Sequence, residues 1–367
     1  MSLAVAIVAD DLTGALDTAT PFADAGLSVA VAIGPQALGE AMARRPDVVA
    51  VNTASRALSP EAAARCVAAV AETLRAAAPA LLMKKIDSRL KGNVASESVA
   101  LATAFDCGRI LVAPAVPDQC RATRGGAVIG HGVPSPLPIA PLFAGYGGKL
   151  HVADAGSDAD LDALVAATDW AGTLAVGARG LGCALARRVA AGRTPGPRRL
   201  FRPSAATLFA FGSRDPITAR QIDRLLEVRG SVTLVDAVNG HLGAALPEAL
   251  PAILRCTGAL DEPAGRVASR FAIGVARMAR LTAPDMLMMG GGDTALAILD
   301  EIGARVLVPE GEVAPGMPWF TLSDAKGRRF ACGVKSGGFG HADSLLHLVA
   351  EEAGLPEPAR MRRDDHG

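Results

Sequence analysis

Five short runs of Val, Leu, Ile, Met and Ala, at residues 3–9, 48–51, 81–83, 110–113 and 174–176, punctuate the first half of the chain. Each is bounded by polar or turn residues. Runs that are apolar at every position, rather than at alternate ones, suit strands buried on both faces of a sheet. Helical stretches separate them at 12–25, 60–77, 96–105 and 158–167, the second opened by Pro60 behind a Ser59 N-cap. Strand alternating with helix predicts a mostly parallel sheet flanked by helices.

The pattern breaks at residues 191–203, where Gly192, Pro195, Gly196, Pro197 and four arginines leave little periodicity. It then resumes. Strands are expected at 207–211, 232–236 and 286–289, and helices at about 217–228, 262–280 and 294–302. Residues 319–334, turning at 324–327, read as a hairpin before a final helix at about 341–353. A chain of 367 residues accommodates two such α/β domains. The expected division is 1–198 and 205–354, with an active-site cleft between them and a disordered polar tail at 357–367.

Charge and hydropathy narrow the partners. Lys and Arg number 37 against 37 for Asp and Glu, so there is no basic excess for a nucleic-acid backbone. The mean hydropathy of +0.30 is high, but charged residues, Gly or Pro break every apolar run before the ~18 residues a membrane helix needs. Neither nucleic acid nor membrane is expected as a partner. The N-terminus is apolar at once, without a basic leader, and reads as a strand rather than a signal peptide. Six scattered cysteines without a C-x-x-C pair suit a reduced, cytoplasmic protein. Six histidines without zinc spacing supply no metal-ligand set. The oligomeric state stays open, with a homodimer as the assembly to be tested.

In open α/β sheets, ligands bind beyond the carboxyl ends of the strands. The first strand ends in Asp10 and Asp11. Adjacent carboxylates there repel and resist burial, which favours hydroxyl binding, Mg²⁺ binding or general-base work over packing, although one of them also suits an N-cap. The third strand runs into Lys84-Lys85-Ile86-Asp87-Ser88-Arg89-Leu90-Lys91-Gly92, a cradle for an anion or a solvated, salt-bridged loop. Arg121 and Arg124 follow another strand end. In the second half, Gly290-Gly291-Gly292-Asp293-Thr294 lies between strand and helix, where backbone N–H groups meet phosphate oxygens. Lys335-Ser336-Gly337-Gly338 and Gly212-Ser213-Arg214-Asp215 are two further turns of this kind. Lys335-Ser336 lacks the preceding Gly of a Walker ending.

Seven segments in order, VADDLTGALDTA, KKIDSRLKGN, PAVPDQCRATRGG, FGSRDPIT, GGGDTALAIL, PGMPW and VKSGGFG, make the chain resemble the four-carbon acid sugar kinase family from Val8 to about Gly340. The resemblance implies an N-terminal domain that binds a sugar acid and a C-terminal domain that binds ATP. The implied reaction phosphorylates the terminal hydroxyl of threonate, erythronate or 3-oxo-tetronate to the 4-phosphate, with Mg²⁺. Carried over, Asp10 and Asp11 are the catalytic candidates. Asp87, Ser88 and Arg121 match the family's acid-binding segments, with Lys85, Arg89 and Lys91 as further cations for the carboxylate, and Ser213, Gly291, Gly292, Asp293, Thr294 and Gly337 bind the nucleotide. The substrate half departs from the family pattern: Arg89 replaces Thr, Lys91 replaces Arg, Cys120 replaces Gly, and Gly177-Ala178-Arg179-Gly180 replaces a G-S-A-G turn.

Two other readings compete. A sugar-acid-binding protein would use the glycine turns only structurally. An aspartate-dependent phosphatase would need carboxylates spaced by one residue, whereas adjacent side chains on a strand point to opposite faces.

Overall fold

The computed structural model describes residues 3–193, 199–243, 247, 249–259, 261–324 and 326–350. The expected tail at 357–367, part of the linker and the end of the expected last helix lie outside the described residues. In the first half, β1 (Val5–Ala9), α1 (Leu12–Asp24), β2 (Val29–Ala32), α2 (Leu38–Ala43) and β3 (Val48–Asn52) lead to α3 (Pro60–Arg75). Then come β4 (Leu81–Lys85), α4 (Val94–Ala104), β5 (Arg109–Ala113), β6 (Arg121–Arg124), β7 (Ala127–Gly130) and β8 (Leu137–Pro138). β9 (Lys149–Val152), α5 (Asp158–Ala167), β10 (Thr173–Gly177) and α6 (Arg179–Val189) complete it.

The second half opens with β11 (Thr207–Phe211), α7 (Pro216–Val228), β12 (Thr233–Val238), β13 (Ala252–Thr257) and α8 (Ala264–Thr282). β14 (Met286–Gly290), α9 (Gly292–Glu301), β15 (Val306–Leu307), β16 (Pro309–Ala314), β17 (Met317–Ser323) and β18 (Arg329–Lys335) follow. A 3-10 helix, Ala342–Leu348, stands where a regular α-helix was expected.

One sheet has the order β15-β2-β3-β1-β4-β10-β5-β9, and all its pairings are parallel except β15 with β2. The other runs β12-β13-β11-β14-β18-β17-β16, parallel except at the β16-β17-β18 meander. β1, β3, β4, β10, β11 and β14 are buried along their whole length, as all-apolar runs require.

Register decides where the chemistry falls. Ala9 and Gly177 both pair with Lys85, so three strands of the first sheet end level. In the second sheet Gly290 pairs with both Phe211 and Lys335, so the turns after those strands lie side by side. Chain order reverses between β1 and β4 and again between β11 and β14, the two places where such sheets open a crevice.

The halves are joined by more than a linker. β15, from the second half, adds an edge strand to the first sheet, Val306 pairing with Ala32. α1 packs against β16 and α9. An apolar cluster extends from Ile7, Leu16 and Phe22 to Ile298, Leu299 and Phe320. Among the described residues no helix is long and apolar enough to cross a membrane.

Candidate functional site

Asp10 and Asp11 lie just beyond β1, and a residue the sequence reading passed over holds both. Arg56, in the loop after β3, donates from Nε to Asp10 Oδ2 at 2.8 Å and from Nη2 to Asp10 Oδ1 at 2.9 Å. Its Nη1 reaches Asp11 Oδ2 at 2.7 Å. The argument from strand alternation therefore does not apply here: past the last strand residue, Ala9, both carboxylates turn to one guanidinium. Burial alone would raise the Asp10 carboxyl, but Lys84, Arg56 and Lys85 together hold it below the usual carboxylate range. Arg56 is pushed above its ordinary value, its partners outweighing burial.

Asp11 also caps α1. Its Oδ1 accepts from Gly14 N at 2.8 Å and its Oδ2 from Thr13 Oγ1 at 2.8 Å. The capping role and a place in the cleft coexist, because the start of α1 faces the second half.

The Lys-rich segment divides. Lys84 points into the core, where its Nζ meets Glu97 Oε2 at 2.7 Å, and both side chains are buried. That lysine is structural. Lys85, one residue on, lies on the opposite face of β4 beside the start of α1, 3.9 Å from Asp17 Oδ1. Asp17 is buried, which raises its carboxyl, and Lys85 only partly offsets this. Asp87 Oδ1 accepts from Arg89 N at 2.8 Å and shapes the following turn. Lys91 is exposed and does not line the cleft.

Arg121 is buried and spends its donors on neutral groups: Ser88 Oγ at 2.9 Å, Gln119 Oε1, and His131 O at 2.9 Å. Burial and the nearby Arg89 lower its pKa. Ser88 is thus fixed by Arg121 at the cleft wall, while Arg89 and Arg121 converge on Gly132 outside it.

In the second half the three turns meet. Gly291, at φ +101, closes the gap between β14 and α9, its N–H donating to Lys335 O at 2.9 Å. No side chain caps α9, so its first N–H groups, at Gly292, Asp293 and Thr294, are free for a ligand. Asp293 is exposed, whereas Thr294 is buried against Gly212. Gly337 lies so close to Ser213 that a methyl group there would strike Ser213 Oγ. Lys335 is fully buried, its Nζ 3.0 Å from Thr218 Oγ1, 3.0 Å from Ser336 O and 3.1 Å from Gly337 O. Its amine therefore folds back onto the 336–338 turn instead of reaching outward as a Walker lysine would. Burial pulls its pKa down to about 7, against the attraction of Asp215.

One cleft is lined by Asp11, Thr13, Asp17, Arg56, Lys85, Asp87, Ser88 and Arg179 from the first half and by Ser336 and Phe339 from the second; the expected Asp10, Arg89, Arg121, Ser213, Gly291, Gly292, Asp293, Thr294 and Gly337 stand around it and do not line it. Gly292 closes the approach, for a Cβ built on it would lie 3.4 Å from Asp11 Oδ2. Of the residues the sequence left out, Asp17 was legible, one turn along α1 from Thr13 and Gly14 on the same face. Arg56 carried no local signal, and Arg179 was marked only as a departure from a G-S-A-G turn. Carboxylates and a lysine on one wall and uncapped helix N–H groups on the other suit transfer of a phosphoryl group to a small polar acceptor.

Comparison with known proteins agrees. Residues 5–138 match the model of a sugar-binding N-terminal domain and residues 208–345 that of a nucleotide-binding C-terminal domain. The chain is 32% identical to the D-threonate kinase of Bordetella bronchiseptica, over 94% of this chain and 96% of that one. It is 26% identical to the 3-oxo-tetronate kinase of Pseudomonas fluorescens, over 95% and 96% of the respective chains. The fold matches a solved protein of Salmonella typhimurium LT2, described as a putative tRNA synthase, with a TM-score of 0.71 at 17% identity over 94% and 98% of the chains. The full-length relatives and this two-sheet α/β fold define a phosphotransferase. The chain belongs to the four-carbon acid sugar kinase family.

Proposed function

We propose that the chain is an ATP-dependent, Mg²⁺-requiring kinase that phosphorylates the terminal hydroxyl of a four-carbon sugar acid, threonate, erythronate or 3-oxo-tetronate, to its 4-phosphate. The observation that carries the reading is the approach of Gly292 to Asp11 across the cleft, with the phosphate turns on one side and the carboxylates on the other. Residues 1–198 hold the acid and residues 205–354 the nucleotide. The kinase names of the full-length relatives support the substrate class.

The uncapped N–H groups of α9 and the 336–338 turn receive phosphate oxygens, Ser213 standing beside them. A Mg²⁺ ion accompanying those phosphates would supply charge neutralisation there, with few ligands taken from the protein. Lys85 and Ser88 bind the acid in the cleft, with Arg121 fixing Ser88. Asp11 accepts the proton of the reacting hydroxyl, and Asp10 holds Arg56 in place. Phosphoryl transfer asks chiefly for alignment and charge neutralisation, which a two-walled cleft supplies. A cytoplasmic enzyme acting as a homodimer completes the reading.

The test is a coupled kinase screen of wild type, Asp11→Asn and Asp10→Asn over C4 to C6 sugar acids. Wild type should turn over a four-carbon acid, and Asp11→Asn should lose about 10²–10⁴-fold in kcat. Full turnover in Asp11→Asn would end the assignment of the base. No turnover of any four-carbon acid by wild type would end the substrate reading.

A further inference from the structure

The motif PGMPW forms the turn between β16 and β17 and the start of β17, and has no role in the site as described above. Its position gives it a task. Arg179, in the first turn of α6, lines the cleft and reaches across to the second half, its Nη2 donating to Glu312 Oε2 on β16. Both side chains are nearly buried, 11% and 14% exposed. Arg179 Nη1 donates to Asp118 Oδ2 at 3.1 Å and contacts Cys183 Sγ at 3.2 Å, so the guanidinium is anchored on its own half as well.

Glu312 passes the contact on. Its other oxygen, Oε1, accepts from Gly316 N at 3.1 Å, inside the turn. Gly316, at φ +73, packs so closely on the Phe339 ring that a methyl group there would strike it. Phe339 belongs to the loop of the 336–338 turn: its N–H donates to Ser336 O at 3.2 Å and its carbonyl accepts from Gln221 Nε2 at 3.0 Å. Phe339 and Ser336 line the same cleft as Arg179. The path therefore leaves the cleft on the acid side and returns to it on the nucleotide side.

We infer that Arg179, Glu312 and the Gly316 turn form a strut by which the sugar-acid half sets the position of the 336–338 turn for the nucleotide phosphates. The pair is nearly buried and Arg179 is held from the other side by Asp118, so the strut has one well-defined arrangement. Arg179 and Glu312 are positioning residues, acting on the nucleotide through Gly316 and Phe339. The inference rests on the nucleotide reading of the second half.

The experiment measures the Kd of Mg-ADP by titration calorimetry and the separate KM values for ATP and acid, on the full chain. Variants are Glu312→Gln, Gly316→Ala and their combination. Glu312→Gln turns an amide toward Arg179, while Gly316→Ala strains the turn and pushes on Phe339 at the other end of the path. Each should weaken Mg-ADP about fivefold and raise KM for ATP in parallel, with KM for the acid moving less than about twofold. The combined variant should be little worse than the weaker single one, since both cut one path. Gly327→Ala is the control: at φ +78 it carries the same backbone strain, but no atom lies within 4 Å of its Cβ. It should bind Mg-ADP as wild type does. Unchanged Mg-ADP affinity in both single variants, effects that multiply in the combination, or an equal loss in Gly327→Ala would each overturn the strut. Failure of wild type itself to bind Mg-ADP would instead remove the nucleotide reading, and the strut with it.

Discussion

Gly292 stands 3.4 Å, measured from a Cβ built on it, from Asp11 Oδ2. One residue opens α9 and the other caps α1, so the two halves meet there, at the point where the proposed transfer would take place. Its backbone needs no left-handed conformation, unlike neighbouring Gly291, so a side chain there costs space rather than strain. Gly292→Val should lower kcat about a hundredfold by filling the gap, because misplacement of ~1 Å already costs that much. Its Tm should stay within ~3 °C of wild type, since no core packing changes. Stopped-flow turnover beside a thermal melt checks both; normal turnover would mean the reaction occurs elsewhere.

Arg56 joins the carboxylate cluster from the loop after β3, and it tests the cluster's electrostatics. Arg56→Met leaves Asp10, 3% exposed, without its fork. The loss should be about 2–3 kcal/mol, below the full value for a buried pair because Arg56 itself is 32% exposed. The pH signature has a definite sign. The Asp10 carboxyl is held below its unfolded value, so the unfolded chain binds more protons as pH falls toward and below 3.8, and stability drops there. With Arg56 gone that depression shrinks, and acid unfolding should begin at higher pH. Urea melts from pH 3 to 7 would show it.

Much of this site was readable because strand ends are. Asp10, Asp11, Lys85 and the 290–294 turn follow runs that are apolar throughout, and such runs announce both the strand and its end. Lys84 and Lys85 show where the reading was too coarse. Both belong to β4, and the two-residue period sends one to Glu97 in the core and the other to the cleft. β2, β13 and the small β6–β8 sheet went unread; β13 carries Arg255 and Cys256 within its run, and β6 is a strand of Arg-Ala-Thr-Arg. The role of Arg56, and that of Arg179 beyond its standing as a departure in the 177–180 turn, were out of reach for another reason. Their partners lie 45 and 133 residues away, so only tertiary packing selects them.

Gly337 offers a test of the nucleotide wall alone. A methyl group there would collide with Ser213 Oγ and press on Asp215 Cβ, 2.9 Å away. Either the turn or Ser213 has to move. Gly337→Ala should weaken Mg-ADP about tenfold while binding of the acid, measured without nucleotide, stays as in wild type. Gly39→Ala, in α2 with nothing within 4 Å, should change neither. Equal losses for nucleotide and acid would show that the turn serves the whole fold rather than one wall of the cleft.

Lys335 closes that wall from behind, and its burial predicts how stability varies with alkaline pH. Its folded pKa is pulled down to about 7, from the 10.5 of a free lysine. Between those values the unfolded chain binds a proton that the folded chain does not, so this residue's contribution to stability rises with pH across the window and is flat below about 7. Lys335→Met removes the titration but keeps the length of the side chain. It also leaves the carbonyls of Ser336 and Gly337 without the amine, so some loss is expected at every pH. The informative quantity is therefore the difference between wild type and variant, which should shift in favour of wild type from pH 7 to 9.5. Guanidinium melts at a series of pH values measure it. A constant difference would mean that the amine stays charged, its donors satisfied by Thr218 Oγ1 and the two carbonyls, and that burial does not govern its protonation.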